Sequence, residues 1–475
     1  MDIVRSRAVW WLGAGKLKKP VGAWLLLGLP LTVSVGWLCG TGQTTRALWV
    51  VLGGIVSVAT LIRPEIGIYV LGLTVGFAPR AFELGPYSIT STEVLVAWLS
   101  LCLLARLATR RQELVRTPLD KPMLVFVALV TFLTVTRDLY LHGAGALADS
   151  MLVTGKNWVI YAFIYFLVVH SLANWRQVET AISLLLTGAA IAALVSYFAY
   201  LPRAQPEAPL PFGIGRLADV RFGGPNEFAV FTLIMTSMAL SRLIRVPRGT
   251  SRVLLLLAVA CMALPWRYTY SRTGFLLAGL AFMLLFYSWR KWLTPLAAAV
   301  PVLLWYAIPP AYQYRVAEAS PLRGAESFHY FVVSRAHLPE LASAFLHPSA
   351  DIFWGVGLYW GWWMQDNSYL FTLLSSGVLC LGAFAWLLVA VGKMLLRFYQ
   401  SESDPRGKAL ALGSLVSFVL VVVAGMVMNS FTTPLLATTF WVIIGLAARR
   451  FATQGRLPPH FPQSHPLGRL GQWQT

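Results

Sequence analysis

Apolar runs of about twenty residues, separated by short polar connections, repeat along almost the whole chain. Each run has the length needed to cross a bilayer as a helix, and the pattern predicts about fourteen such helices, some of them short. Their centres fall at Leu26, Gly54, Gly72, Leu99, Val127, Phe163, Ala189, Ile234, Ala258, Ala278 and Ala298, then Ala383, Leu420 and Trp441. The third lies between Pro64 and Pro79. The pattern breaks once at length, over residues 310–370, which read as a long external loop running into a membrane helix. That stretch carries Arg315, Arg323, Arg335, His329, His337, His347, Asp351 and Asp366, so it has the polar chain from which a site can be built. The predicted organisation is a helical block over residues 1–309, the loop over 310–366, further spans over 367–448, and a basic, disordered cytoplasmic tail over 449–475.

Composition agrees with this picture: 57% of residues are apolar and only 12% charged, about half the charged share of soluble domains. The chain therefore reads as an all-α polytopic membrane protein. Its net charge of +19 does not point to nucleic acid, because the basic residues form short clusters between apolar runs. Cys39, Cys102, Cys261 and Cys380 each sit inside an apolar stretch and read as packing residues, not as disulfides or metal ligands. The first apolar run is followed by further spans and reads as a span, not a cleavable signal.

Alternate connections hold most of the Lys and Arg, from Arg5, Lys16 and Lys18 through Arg110, Arg176, Arg245 and Arg290 to Lys393, Arg406 and Arg449. By the positive-inside rule this set is cytoplasmic, and an even number of spans puts both termini there. The opposite side carries Arg46, Arg80, Arg137 and Lys156, then a denser group of arginines alone: Arg203, Arg216, Arg221, Arg267, Arg272, Arg315, Arg323 and Arg335. Topology selection disfavours positive charge there, so another cause is needed. Guanidinium suits bidentate binding of phosphate or carboxylate, while anchoring at the lipid headgroups is the plainer alternative. Arg46, Arg80 and Arg203 fit the anchoring role; clustering of the others points to an anionic ligand.

Three short motifs sharpen the point. In RLADVRFGGPNEFAVF, Pro225 suits a first helical position, which sets Arg221 beside a helix N-terminus already favourable to an anion. In WRYTYSRTGFLLAG, Arg272 opens the next helix with Arg267 nearby. In DNSYLFTLLSSGVLCLGAF, Asp366 stands at the mouth of a helix, where it serves either as an N-cap, the commoner use, or as a general base beside the arginines. Tyr359, Trp360, Trp362 and Trp363 read either as sugar-stacking residues or as an interfacial belt.

RFGGPNEFA, TYSRTGF, a long outer loop with Arg335, Gly355-Val356-Gly357, and DNSYL leading to Gly377 and Gly382 occur in that order. The ordered set resembles the O-antigen ligase and Wzy-type polymerase superfamily, from about Gly54 to the last span, with ITSTEVLVAWL and TPLDKPML also similar. The resemblance implies a GT-C-type glycosyltransferase at the external face of a bacterial inner membrane. It implies an undecaprenyl-diphosphate-linked oligosaccharide donor, a glycan or lipid acceptor, no metal or other cofactor, and leaves open a chain-length partner. In its terms Asp366 and His337 are candidate bases, and Arg216, Arg221, Arg267, Arg272, Arg335, Asn226, Asn367 and Tyr369 bind the diphosphate or substrate. Ligases of the superfamily have His where this chain has Asp366, which favours a polymerase over a ligase. A transporter or flippase is the competing class. Against it, the spans read as nearly free of ionisable residues apart from His170, and no repeat is evident. A membrane scaffold would leave the one-sided arginines unexplained.

Overall fold

The computed structural model describes residues 44–77, 80–84, 87–109, 114–201, 224–245, 250–269, 271–294, 353–355 and 367–454. Its helices are α1 (Thr44–Ile62), α2 (Pro64–Thr74), α3 (Ser91–Ala108), α4 (Asp120–His142), α5 (Leu147–Thr154) and α6 (Ile160–Ser171). They continue with α7 (Trp175–Tyr200), α8 (Pro225–Arg245), α9 (Thr250–Trp266), α10 (Arg272–Trp289), α11 (Ser368–Ser401), α12 (Pro405–Ala424) and α13 (Pro434–Gln454). Among the described residues, nine helical stretches are long and apolar enough to cross a membrane, and Val51–Ile62 and Arg252–Trp266 are shorter apolar helices. The protein is a polytopic helical membrane protein. Every predicted centre except Leu26 and Ala298 falls within one of these helices; those two lie outside the described residues.

The chain divides into two units, residues 1–67 and 68–475. In the first, α1 is apolar after Arg46 in its first turn, and a proline and Glu65 open α2 after Arg63. In the second, α8 packs on α7, α9, α10, α12 and α13, while α13 also packs on α6, and α11 on α4 and α12. These crossings are close because small residues line them. A Cβ on Gly413 of α12 would stand 2.7 Å from Ser241 Oγ of α8, and one on Gly445 of α13 would meet Val168 of α6 at 2.8 Å. Ser241 Oγ also donates to the Ala409 carbonyl at 2.9 Å, which pins α8 to α12 without exposing a polar group to lipid. Buried Phe228, Phe231, Phe384, Phe431 and Phe440 fill the space between.

Three features depart from the sequence expectation. Arg80–Leu84 (β1) and Tyr87–Thr90 (β2) form an antiparallel hairpin, a departure from an all-helical chain. The sequence joins them by Gly85-Pro86, a turn-forming pair, and β2 ends in a capping box: Thr90 Oγ1 accepts from Glu93 N at 3.3 Å while Glu93 Oε2 accepts from Thr90 N at 2.6 Å. Arg137 and Lys156 lie within helical stretches and not in connections, because α4 continues to His142 and a π-turn, Gly155–Val159, joins α5 to α6. Asp138 is consequently buried inside α4, so His170 is not the one ionisable group within the spans.

Contacts between helix ends give the bundle a polarity. Arg242 Nη1 reaches Ser183 Oγ at 3.5 Å, Arg406 pairs with Glu179 at 3.1 Å, and Arg449 Nη2 donates to the Ala173 carbonyl at 2.9 Å. Arg450 is held by the carboxylate of Glu402, Nε to Oε2 at 2.8 Å and Nη2 to Oε1 at 3.2 Å, and stacks over Trp175 at 4.5 Å. The start of α7, the ends of α8, α11 and α13 and the start of α12, which carry Arg176, Arg242, Arg406, Arg449 and Arg450 of that set, therefore meet at one end. The starts of α8, α11 and α13 and the end of α12 occupy the other.

Candidate functional site

At that second end the structure joins two of the three motifs. Ser271 is the N-cap of α10: its hydroxyl oxygen accepts from Gly274 N at 3.0 Å, the ordinary stabilisation of a helix start. The same hydroxyl donates to Asn226 Oδ1 at 2.9 Å, and Asn226 belongs to the first turn of α8. GGPNE and YSRTG are thus joined by the Ser271–Asn226 hydrogen bond, across 45 residues of sequence. Close packing supports the bond, since a Cβ on Gly274 would approach Ala229 of α8 to 2.8 Å and Trp266 Nε1 to 3.3 Å. A 3₁₀ turn, Arg267–Thr269, leads into the cap, with Thr269 Oγ1 donating to the Trp266 carbonyl at 2.8 Å and accepting from Ser271 N at 3.4 Å.

Arg272 is the first residue of α10 and is half-buried. No acidic residue occupies the first turn of that helix. A cation at a helix N-terminus opposes the helix dipole by about 0.3–1 kcal/mol, and an anion bound there would be favoured by both. The first turn of α8, by contrast, carries Glu227, whose carboxylate folds back against Gly224.

The third motif forms a second structure at the same end. Asn367, not Asp366, caps α11: Asn367 Oδ1 accepts from Tyr369 N and Leu370 N, each at 3.0 Å. Its Nδ2 donates to the Met426 carbonyl at 2.9 Å, just past the end of α12. Ser368 N bonds the Gly425 carbonyl at 2.9 Å, and Ser368 Oγ lies 3.2 Å from both Met428 O and Asn429 Oδ1. Tyr369 donates its hydroxyl to Val422 O at 2.7 Å and sets its ring against Phe384 and Phe431. Asn367 and Tyr369 therefore hold the entry of α11 against the α12–α13 turn. Sequence reasoning named neither Ser271 nor Asn429 among the site residues. The Ser-x-x-Gly spacing at Ser271 was the available signal for a cap, whereas nothing local marks Asn429.

Inside α11 the helix is broken at Gly377, where φ is 77° and ψ 178°. The segment Phe353–Gly355 enters the break, for a Cβ on Gly355, itself at φ 81°, would lie 2.7 Å from Gly377 N and from Leu374 O. Beside the break, Ser376 Oγ lies 2.8 Å from Thr134 Oγ1 of α4 and 3.2 Å from Ser375 Oγ. The Gly355 and Gly377 positions picked out by the motif order are thus in direct contact.

Arg216, Arg221, Arg335, His337 and Asp366 lie outside the described residues, as does the side chain of Arg267. Of the candidate residues the structure brings Asn226 together with the α10 start that carries Arg272, and Asn367 together with Tyr369. Among the described residues no group of three or more His, Cys, Asp or Glu side chains converges on a common point. No protein-family model and no curated protein matches this chain.

Proposed function

We propose that the protein is an inverting, metal-independent glycosyltransferase of the GT-C type with about fourteen spans, acting on undecaprenyl-diphosphate-linked oligosaccharides. In this reading it polymerises repeat units at the outer face of a bacterial inner membrane. Both termini are cytoplasmic, and the end where α8 and α10 start faces outward. The observation that carries the reading is the Asn226–Ser271 hydrogen bond, which unites the two arginine-bearing motifs at a helix start headed by Arg272. A diphosphate leaving group needs such a place: negative charge grows on it as the anomeric C–O bond breaks, and a fixed cation with a helix dipole behind it stabilises that charge. The acceptor hydroxyl oxygen attacks the anomeric carbon from the face opposite the diphosphate and inverts it. Its proton passes to Asp366, with His337 as the second candidate, and the electron pair of the broken bond leaves on undecaprenyl diphosphate. Arg216, Arg221, Arg267 and Arg335 share the diphosphate with Arg272. Asn226, Asn367 and Tyr369 hold the two helix starts in position around it.

The test is turnover by purified protein supplied with a lipid-diphosphate-linked oligosaccharide alone. A ladder of longer lipid-linked glycans, lost in Arg272→Ala and in Asp366→Ala, is the expected result. Transfer only to added lipid A core makes the protein a ligase instead, and absence of product with every acceptor removes the transferase reading.

The broken helix α11 favours a second reading. A discontinuous span with hydroxyls clustered at the break is an arrangement used by transporters, and Asp138 is buried four residues from the end of the neighbouring α4. Translocation of a fluorescent lipid-diphosphate glycan across proteoliposomes, with no change in its length, would favour it over catalysis.

A further inference from the structure

At the basic end, far along the helices from the Asn226–Ser271 junction, a groove of about 570 Å³ opens between α7, α8 and α9, with the start of α12 at its rim. One face of α7 lines it through Arg176, Glu179, Thr180 and Ser183, residues three or four apart on a single stripe. Arg242 of α8 and Arg406 of α12 complete the polar wall. Three guanidinium groups thus meet one carboxylate, and that carboxylate, Glu179, is engaged by Arg406 at 3.1 Å. Arg242 is half-buried, and its hydrogen bonding among the described residues is one 3.5 Å contact to the neutral Ser183 hydroxyl. A guanidinium carries five N–H donors, so most of its capacity faces the groove. Arg176 is exposed and forms no ion pair among the described residues.

The opposite wall is apolar, with Leu254, Leu255 and Ala258 of α9. Along α9, Val253, Leu254 and Leu257 are exposed, so the apolar wall is continuous with a lipid-facing surface. A cationic head with a hydrocarbon flank opening sideways fits one class of ligand. We propose that this groove binds an anionic phospholipid of the leaflet at the basic end, its phosphate between Arg176 and Arg242 and an acyl chain along Leu254 and Leu255. Charge complementarity selects the headgroup: a zwitterionic lipid brings a compensating cation to a wall already in positive excess, whereas phosphatidylglycerol does not. The hydrocarbon flank separates this site from a simple anion site, which would gain nothing from Leu254. The inference concerns the opposite end of the bundle and does not depend on the reaction proposed above.

The experiment is titration of delipidated full-length protein in detergent with phosphatidylglycerol or phosphatidylcholine, reading bound lipid by native mass spectrometry. Phosphatidylglycerol is expected to be retained in preference, and Arg176→Gln and Arg242→Gln are each expected to weaken it about fivefold, at roughly the contribution of one basic residue to an anionic surface. Arg397→Gln, an exposed arginine of α11 outside the groove, should leave retention unchanged. Arg176 is the primary variant because it is exposed, which separates loss of binding from a folding defect, and binding of the wild type to phosphatidylcholine provides the common reference. Equal retention of the two lipids, an equal loss in Arg397→Gln, or displacement of phosphatidylglycerol by millimolar inorganic phosphate would overturn the proposal, the last by showing a site for the free anion.

Discussion

The break in α11 makes a prediction whose sign can be set before its size. At Gly377 the backbone lies at φ 77° and ψ 178°, a region essentially reserved for glycine, so any side chain there costs about 1–3 kcal/mol. An alanine methyl would also collide with the Phe353 carbonyl and stand 2.8 Å from Gly355 N, atoms of backbone that cannot rotate away. Displacing that segment adds about 1–3 kcal/mol, as overpacking does elsewhere. Gly377→Ala should therefore destabilise the protein by about 2–6 kcal/mol, a large part of the roughly 5–15 kcal/mol that holds folded domains together. Gly382, five residues on in the same helix, is the control. It has no atom within 4 Å of an added Cβ and no positive φ, so Gly382→Ala should stabilise by about 0.5–1 kcal/mol. Equilibrium unfolding in mixed detergent micelles, followed by helical circular dichroism, compares the two directly. Gly355→Ala should resemble Gly377→Ala, and the double variant should cost less than the sum, because both act on the same crossing. Equal stability of Gly377→Ala and Gly382→Ala would refute the insertion of Phe353–Gly355 into the break.

Three further perturbations follow from the geometry. Arg450→Met leaves Glu402, whose side chain is 3% exposed, without its bidentate partner, and should cost about 3–5 kcal/mol in the same unfolding assay; adding Glu402→Gln should recover part of that loss. Ser271→Ala removes both the α10 cap and the bond to Asn226 and should cost about 1–2 kcal/mol, while Ser271→Thr keeps both; if the proposed reaction holds, turnover falls in the first and persists in the second. Asn367→Asp retains an acceptor for Tyr369 N and Leu370 N but faces the Met426 carbonyl without a donor, so it should be destabilised by about 1–3 kcal/mol, and a stability equal to wild type would show that the Met426 contact contributes nothing.

What was legible in the sequence and what was not divides along physical lines. Spans such as α7 and α12 declare themselves because a membrane helix must be apolar over about twenty residues whatever it packs against. The break at Gly377 does not, since SSGVLCLGAF is as apolar as an unbroken span and the cause of the break, Phe353–Gly355, lies more than twenty residues earlier in the chain. The cap of α11 shows a finer limit. Asp366 and Asn367 are adjacent, and both residue types favour N-caps, so local preference cannot choose between them. The tertiary structure uses Asn367, whose amide both accepts from the helix start and donates to Met426, which an ionised carboxylate cannot do. Likewise the two arginine motifs could be seen as alike in character, but their joining through Asn226 and Ser271 depends on how α8 and α10 cross.

The arginines at one end of the bundle clasp helix ends together, whereas at the other end Arg272 opens a helix. At the basic end Arg450 meets Glu402, Arg406 meets Glu179, Arg449 meets the Ala173 carbonyl, and Arg245 meets Ser288 O at 3.1 Å and the Tyr399 hydroxyl at 3.2 Å. These arginines act as clasps between α7, α8, α10, α11, α12 and α13, while Arg176 and Arg242 line the groove. Arg272 lies at the other end of the bundle. It stands at a helix start, against the dipole, on a turn fixed by the Ser271 cap and the bond to Asn226. An anion bound at that helix start would be favoured by the guanidinium and by the helix dipole together. If the proposed reaction holds, replacing Arg272 should remove turnover beyond any effect it has on folding. Arg272→Gln is expected to lose the glycan ladder while remaining folded at the assay temperature, and a loss of turnover matched by early unfolding would return Arg272 to a structural role.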